Sequence, residues 1–225
     1  MKFVFAKKHF VLVASEGNFI VDTGSSISFN NKGLREINVD GALLDVSNRE
    51  YGNDPLGKAS RLTGMDIIGF IGLDNILKYG LYVDFEKGVI EFARKEIAGA
   101  DKINTFVNNF IMTNDISING HKMKSIIDTG AHISFVFKRY FDASDNTGIR
   151  YEDDSPMFGY IEGVLYKAKY NKPGYCGETQ TGLVEDVRGL SGVFNKINVG
   201  GIFGMSVFEN IKYFSIPSNN EIQYK

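Results

Sequence analysis

One eleven-residue pattern occurs twice in this chain of 225 residues. The segment "FIVDTGSSISF" begins at Phe19, and "SIIDTGAHISF" begins at Ser125. Each copy places Asp-Thr-Gly directly after a short apolar run, and Ile, Ser and Phe then recur at matching positions. Repetition in preserved order is the usual signature of internal duplication. The pattern therefore predicts two related halves, each of which delivers one aspartate.

The repetition extends further along the chain. The segment "FIGLDNI" from Phe70 matches "IFGMSVF" from Ile202, and "VIEF" from Val89 matches "EIQY" from Glu221. These matches have a larger offset than the Asp-Thr-Gly copies, so the second half is longer. We expect its extra residues in a surface loop within "YNKPGYCGETQTG", which is rich in turn formers.

The order of these elements predicts two lobes joined by a linker. We expect an N-terminal lobe at 1–93, an inter-lobe linker at 94–112 and a C-terminal lobe at 113–225. Alternating apolar runs and 25 glycines indicate a mostly β protein. Residues 10–22 and 115–128 are each typical of a strand, a turn and a strand that ends in the aspartate.

Composition narrows the class of protein. With 43% hydrophobic residues, 23% charged residues and a formal net charge of -2, the chain has the composition of an ordinary globular protein. We therefore expect neither nucleic acid nor a membrane as a partner. Lys7, Lys8 and His9 interrupt the apolar N-terminus, which favours a strand over a signal peptide, although a leader removed upstream of Met1 stays open. Cys176 is the single cysteine and favours a reducing, cytoplasmic compartment.

The two Asp-Thr-Gly copies, each followed by an apolar-apolar-Gly element, closely resemble the aspartic proteases of the pepsin and retropepsin kind. The resemblance covers essentially the whole chain, and the small halves are more similar to two retropepsin lobes in tandem than to pepsin. It implies an all-β, bilobal acid-protease fold with two pseudo-twofold-related β-barrel-like lobes and few short helices. A lone Asp-Thr-Gly is ordinarily just a turn, so the double occurrence carries this interpretation.

The resemblance implies that Asp22 and Asp128 are catalytic and share one proton. Hydrolysis without a metal or a covalent intermediate needs a base and an acid, and two close carboxylates that cannot both ionise supply both. In the family the threonines hydrogen-bond across the lobe interface, and the glycines let the backbone turn and present an amide to the carboxylate. The supporting residues are then Thr23, Gly24, Ser25, Thr129, Gly130 and Ala131.

One difference between the copies predicts an asymmetric pair. The residue after Asp-Thr-Gly is Ser25 in the first copy and Ala131 in the second. A hydroxyl that donates to the neighbouring carboxylate would favour its charged form. We therefore expect Asp22 to be the more readily ionised partner and Asp128 to hold the shared proton.

Proteases of this kind cover the bound peptide with a β-hairpin flap. Tyr51-Gly52 and Gly159-Tyr160 follow their aspartates at a spacing similar to that of the retropepsin flap. Either or both could close over substrate. An exposed turn with an aromatic residue packed beneath it is nearly as good an interpretation of each segment.

The remaining reactive side chains favour other roles. His132 follows Asp128 closely, but Ser26 takes its place in the first copy, which favours a rim or packing histidine. His9 and His121 have no second ligand at a useful spacing, so we expect no metal and no cofactor. Cys176 lies outside any Cys-His signature and is interpreted as a free thiol. Serine-hydrolase and phosphate-binding motifs do not fit the sequence either.

The sequence thus predicts a monomeric aspartic endopeptidase that acts on peptides or unfolded proteins and binds pepstatin-type inhibitors. Both aspartates belong to one chain, so activity should not need dimerisation. The alternative is a peptide-binding module on the same fold that does not cleave, or that processes only itself.

Overall fold

The computed structural model describes residues 1–49, 54–155 and 159–225. Within these ranges the chain forms 22 β-strands and three short α-helices, which confirms the prediction of a mostly β protein with few helices. The expected strand at the N-terminus is also present, since two strands flank a turn at Lys7 and Lys8, both with positive φ.

The described residues of the first half form ten strands and two helices. The strands are β1 (Phe3–Ala6), β2 (His9–Ala14), β3 (Gly17–Val21), β4 (Phe29–Asn30), β5 (Glu36–Val39), β6 (Ala42–Asp45), β7 (Ser47–Asn48), β8 (Ile67–Ile71), β9 (Leu81–Asp84) and β10 (Val89–Glu91). The helices are α1 (Pro55–Thr63) and α2 (Leu73–Tyr79). Asp54 caps α1 by accepting from the amide of Gly57 at 3.0 Å, and Pro55 opens the helix.

In the second half, leaving aside 156–158, the chain forms twelve strands and one α-helix. The strands are β11 (Asp101–Asn108), β12 (Phe110–Thr113), β13 (Ser117–Ile118), β14 (His121–Lys122), β15 (Ser125–Ile127), β16 (Ser134–Val136), β17 (Asn146–Ser155), β18 (Gly159–Lys172), β19 (Tyr175–Leu183), β20 (Gly201–Phe203), β21 (Tyr213–Ser218) and β22 (Glu221–Tyr224). The helix is α3 (Leu190–Ile197), and 3₁₀ turns form at Lys138–Tyr140, Ala143–Asp145, Val184–Asp186 and Met205–Phe208.

The strands pair into open sheets. A six-stranded sheet has the order β1-β2-β3-β8-β4-β7, and β5 pairs with β6. The large sheet starts with β10 and β9 of the first half, continues through β21, β22 and β11, and then takes in the remaining strands of the second half. Since both large sheets have edge strands in the described part of the chain, the expected barrel-like closure is not present there.

The segment 94–112, predicted to be a linker, contributes strands to the shared sheet. β11 pairs with β22 through Ile103 and Ile222, and its other side pairs with β12. Ile103 and Ile222 are both completely buried. This segment therefore contributes to the core as well as connecting the two parts of the chain.

The strands that precede the two aspartates, β3 and β15, each have one antiparallel and one parallel partner strand. β3 pairs antiparallel with β2 and parallel with β8, while β15 pairs antiparallel with β12 and parallel with β20. The prediction for residues 115–128 was therefore wrong about the partner of the strand before Asp128, which was expected to be the strand at the start of this segment. A turn forms within 115–128 as expected, at Asn119-Gly120, but it joins β13 to β14, and β15 pairs with β12 instead. The reason is that β12 offers β15 a buried apolar partner, Met112 opposite Ile126, whereas β14 is exposed.

The predicted surface loop of the second half is a β-hairpin. Only Pro173-Gly174 turns, and the residues on either side extend β18 and β19 in continuous register from Lys172 opposite Tyr175. The turn formers in this segment were correctly recognised, but the alternating residues around them favour strands. Part of the extra length of the second half thus lies in this hairpin of β18 and β19.

Buried side chains form one large core and two smaller clusters. The large core contains residues from both halves, including Phe19 and Val21 near the first aspartate and Ile127 and Phe203 near the second. No helix among the described residues is both long and apolar enough to cross a bilayer.

Candidate active site

Asp22 and Asp128 occupy equivalent positions directly after β3 and β15. Each is tied by its backbone to the neighbouring parallel strand: the amide of Asp22 donates to the carbonyl of Ile71, and that of Asp128 donates to Phe203, both at 2.9 Å. Because the strands before them are buried, each aspartate is delivered from the core to a position where it is only partly exposed.

The two glycines bring the loops into close contact. The amide of Gly24 donates to Oδ1 of Asp22 at 2.7 Å, and the amide of Gly130 donates to Oδ1 of Asp128 at 2.8 Å. A Cβ atom on Gly24 would lie 2.5 Å from Oδ2 of Asp128, and one on Gly130 would overlap the carboxylate of Asp22. Each glycine thus holds its own aspartate and leaves room for the opposite one.

Thr23 and Thr129 connect the loops beneath the carboxylates. Thr23 donates its hydroxyl to the carbonyl of Ile127 at 2.9 Å, and Thr129 donates its hydroxyl to Val21 at 3.0 Å. The backbone amide of each threonine donates to the hydroxyl of the other. Both side chains are completely buried, so water does not compete for these bonds.

The carboxyl groups themselves form a pair. The carboxyl groups of Asp22 and Asp128 face each other across the two loops, since a Cβ atom on Gly24 or Gly130 would overlap the carboxyl group of the opposite aspartate. Burial, together with the charge and the hydrogen bond of Asp22, raises the pKa of Asp128 well above its usual range. The amides of Gly130 and Ala131 act in the opposite direction but do not outweigh these effects. The raised pKa favours the protonated form of Asp128 beside Asp22.

The expected role of Ser25 was wrong. Its hydroxyl donates to the carbonyl of Ile27 at 2.8 Å and so stabilises the loop after the motif instead of the carboxylate of Asp22. The raised pKa of Asp128 results from burial and from Asp22, and not from the difference between Ser25 and Ala131.

The chain matches no family model, and no curated protein shows significant sequence similarity to it.

The apolar-apolar-Gly elements, Phe70-Ile71-Gly72 and Ile202-Phe203-Gly204, lie beneath the loops. Leu73 donates its amide to the carbonyl of Ser25, and Met205 donates to Ala131, both at 2.8 Å. A Cβ atom on Gly72 would lie 2.6 Å from the carbonyl oxygen of Ile27. These elements can therefore approach the loops only because a glycine stands at the contact.

Two serines that the sequence analysis did not single out also support the loops. Ser28 Oγ accepts from the amide of Gly72 at 2.9 Å, and Ser134 Oγ accepts from the amide of Gly204 at 3.1 Å. They were detectable, since both stand in the last part of the repeated pattern, at "ISF". Their partners differ, because Ser28 donates to the Asp74 carboxylate at 2.5 Å and Ser134 pairs with the hydroxyl of Ser206 at 3.0 Å.

The two expected flap segments have different surroundings. Tyr51 and Gly52 lie outside the described residues, and helix α1 follows them. Gly159 and Tyr160 begin β18, which pairs with β17 as a long hairpin, and Tyr160 is 62% exposed. Only the second segment is thus described as part of a hairpin.

Among the described residues, none of the histidines belongs to a cluster of side chains that could bind a metal ion. His132 is partly exposed, and its ring centroid lies 5.9 Å from that of buried His9. No group of three or more His, Cys, Asp or Glu side chains arranged to hold a metal ion occurs in the described part of the chain. Cys176 is an exposed free thiol on β19.

Proposed function

We propose that the chain is an aspartic endopeptidase that hydrolyses peptide bonds by activating water between Asp22 and Asp128. The observation that carries the proposal is that these two carboxyl groups, which are distant in sequence, face each other, each against the glycine of the opposite motif. A carboxylate and a carboxylic acid held together are the base and the acid that hydrolysis of an amide needs.

The proposed reaction divides these roles between the two groups. Asp22 acts as the base and takes a proton from a water molecule whose oxygen attacks the carbonyl carbon of the scissile bond. Asp128 gives its proton to the carbonyl oxygen, which yields a tetrahedral diol. Asp22 then gives its proton to the amide nitrogen while one hydroxyl of the diol returns a proton to Asp128, so that the C–N bond breaks, an acid and an amine are released, and both aspartates regain their starting states. The pKa of Asp128 supports this assignment, although the titration belongs to the pair.

We also propose a bilobal arrangement in which the halves are related by a pseudo-twofold axis through the pair. The support is that the bonds of one loop recur in the other, from the strand-to-aspartate bonds to the two serines. The two Asp-Thr-Gly motifs belong to one chain, so a monomer contains both acidic groups. In this proposal the hairpin of β17 and β18 covers bound peptide, with Gly159 and Tyr160 near its tip.

The test is digestion of denatured casein by the purified protein from about pH 3 to 7, with and without pepstatin. We expect cleavage that pepstatin abolishes, and no cleavage by Asp22→Asn or Asp128→Asn. Circular dichroism of both variants should match that of the parent protein. Full activity in either variant would refute the mechanism.

The same experiment distinguishes a peptide-binding module that lacks activity. Pepstatin would then raise the melting temperature without any cleavage of casein at any pH. Mass spectrometry of the chain itself, before and after incubation, identifies a protein that processes only itself. Size-exclusion chromatography of the active fraction tests the expected monomer.

A further inference from the structure

A second candidate site lies in a cavity of about 470 Å³ in the second half of the chain. Three parts of the fold form its walls: the turn between β13 and β14, the 3₁₀ turns that follow β16, and the face of β18. Basic groups from all three parts line it, namely His121, Arg139, Lys167 and Lys169. Arg139, Lys167 and Lys169 thus give this lining an excess of one formal positive charge over Asp142 and Asp145, in a protein with a formal net charge of -2.

Asn119 holds the walls together. Its backbone amide donates to the carbonyl of Lys169 at 2.8 Å, and its Oδ1 accepts from the backbone amide of Lys169 at 3.0 Å. Its Nδ2 donates to the carbonyl of Tyr140 at 3.1 Å. Asn119 therefore ties the hairpin turn to β18 and to the 3₁₀ turn.

The guanidinium group of Arg139 is oriented in advance. Its Cζ atom lies 4.2 Å from the ring centroid of Phe137 and 5.0 Å from that of Tyr140. Stacking on two rings reduces the conformational freedom that a long side chain loses on binding. His121 extends the same wall, since its ring centroid lies 5.6 Å from that of Tyr140.

The cations of the cavity are incompletely neutralised. Lys167 pairs with Glu178 at 2.9 Å, but among the described residues neither Arg139 nor Lys169 has a carboxylate within 4.0 Å. The two acidic residues of the lining, Asp142 and Asp145, cap the same 3₁₀ turn through reciprocal bonds to backbone amides. By formal charge the lining thus has three cations, Arg139, Lys167 and Lys169, against these two carboxylates.

We propose that this cavity binds an oxyanion group, phosphate or carboxylate, between the guanidinium of Arg139 and the ammonium of Lys169, with Lys167 at its edge. Arginine matches such groups with two parallel N–H···O bonds, and lysine adds a point charge. Lys167 and Lys169 stand two residues apart on one strand and so project from the same face. The proposal does not depend on the acidic pair or on proteolysis.

The test is a titration of the ¹⁵N-labelled full chain with inorganic phosphate at pH 7 and constant ionic strength, followed by NMR. We expect saturable shifts of the amides of Gly120, His121 and Lys169. Arg139→Gln and Lys169→Gln should each weaken phosphate binding about tenfold or more. Lys196→Gln, which removes the charge of an exposed lysine on α3, should leave the affinity unchanged.

Peptides identify the source of the anion. Three otherwise identical peptides carry phosphoserine, glutamate or serine at one position. Tighter binding of the first two than of free phosphate indicates a group carried by a protein, and tighter binding of free phosphate indicates a small molecule. The proposal is overturned if phosphate causes no saturable shifts up to tens of millimolar, if Lys196→Gln weakens binding as much as Arg139→Gln, or if the serine peptide binds as well as the others.

Discussion

Thr23 and Thr129 exchange hydrogen bonds across the two Asp-Thr-Gly loops, since each backbone amide donates to the hydroxyl of the other residue, at 3.0 and 2.9 Å. Each hydroxyl also donates to a carbonyl of the opposite strand, at Ile127 and Val21. Both hydroxyls therefore act as acceptor and donor at once. Four buried bonds fix the relative position of two segments that are 106 residues apart.

Replacement of either threonine by valine keeps the volume of the side chain and removes its hydroxyl. The change in stability therefore reports the contribution of the hydrogen bonds of that hydroxyl. Thr23→Val keeps the volume but leaves a buried amide and a buried carbonyl without partners, so we expect a loss of about 2–5 kcal/mol in the free energy of unfolding. Thr23→Ser retains the hydroxyl and should lose much less. Urea denaturation with a peptide-cleavage assay measures both effects. Equal stability of the valine and serine variants would contradict the role of these bonds.

The glycines should be intolerant of even one methyl group. In Gly24→Ala the new Cβ would meet the Asp128 carboxylate, so the pair must separate. A misplacement of about 1 Å at a catalytic group reduces the rate roughly 100-fold, and we expect at least that loss in kcat with the fold retained. Gly192→Ala is the matched control, because no atom lies within 4 Å of a Cβ at this position in α3. Normal turnover by Gly24→Ala would show that the two loops do not need this contact.

Asp128→Asn should stabilise the protein at neutral pH while it abolishes cleavage. Because the pKa of Asp128 is raised in the folded state, the native chain binds more protons than the unfolded chain above about pH 4. The free energy of unfolding of the parent protein therefore falls as the pH rises through the raised pKa. We expect the variant to be more stable by about 1–3 kcal/mol at pH 7 and equally stable near pH 3.

Chemical denaturation at a series of pH values measures this difference. Asp66→Asn, at an exposed aspartate, is the control and should show no such trend. A variant at Asp128 that is less stable than the parent protein at pH 7 would argue against the shared proton.

Ser25→Ala should leave the pH dependence of cleavage unchanged. The hydroxyl of Ser25 donates to the carbonyl of Ile27, so its removal does not take a donor from Asp22. We expect a loss of about 1 kcal/mol in the free energy of unfolding, as is usual for one hydrogen bond. The pH profile of kcat/KM tests this outcome. A shift of its acidic limb would mean that the hydroxyl turns towards the carboxylate during the reaction.

The repeated pattern predicted the local backbone of the two Asp-Thr-Gly loops better than it predicted the pairing of the strands around them. Short-range periodicity and glycine placement depend on local backbone geometry, so the strands before Asp22 and Asp128 and the supporting glycines were detectable from sequence. The partner of β15 was not, because two candidate strands precede it and long-range packing chooses between them. The hydroxyl of Ser25 was misassigned for a related reason, since a loop carbonyl two residues away competes with the carboxylate as an acceptor.

Lys172, at the end of β18, provides a pH-dependent test of the packing between the hairpin of β18 and β19 and the C-terminal strand β22. Its side chain is buried, and its Nζ atom lies 3.5 Å from the ring centroid of Tyr224 and 4.9 Å from that of Phe208. Burial lowers the pKa of Lys172 to about 8, against the weaker opposing effect of Asp101. The rings attract the ammonium group, but they replace only part of its hydration.

Lys172→Met, which keeps an unbranched apolar side chain, should therefore raise the free energy of unfolding at pH 7 by about 1–3 kcal/mol. From pH 8 to about pH 10.5 the unfolded chain binds more protons at Lys172 than the native chain, so the parent protein gains stability as the pH rises. The advantage of the variant should shrink over this window. Denaturation of both proteins from pH 7 to 10 measures the difference, with Lys102→Met as an exposed control. A constant difference across this range would show that Lys172 keeps its proton in the folded protein.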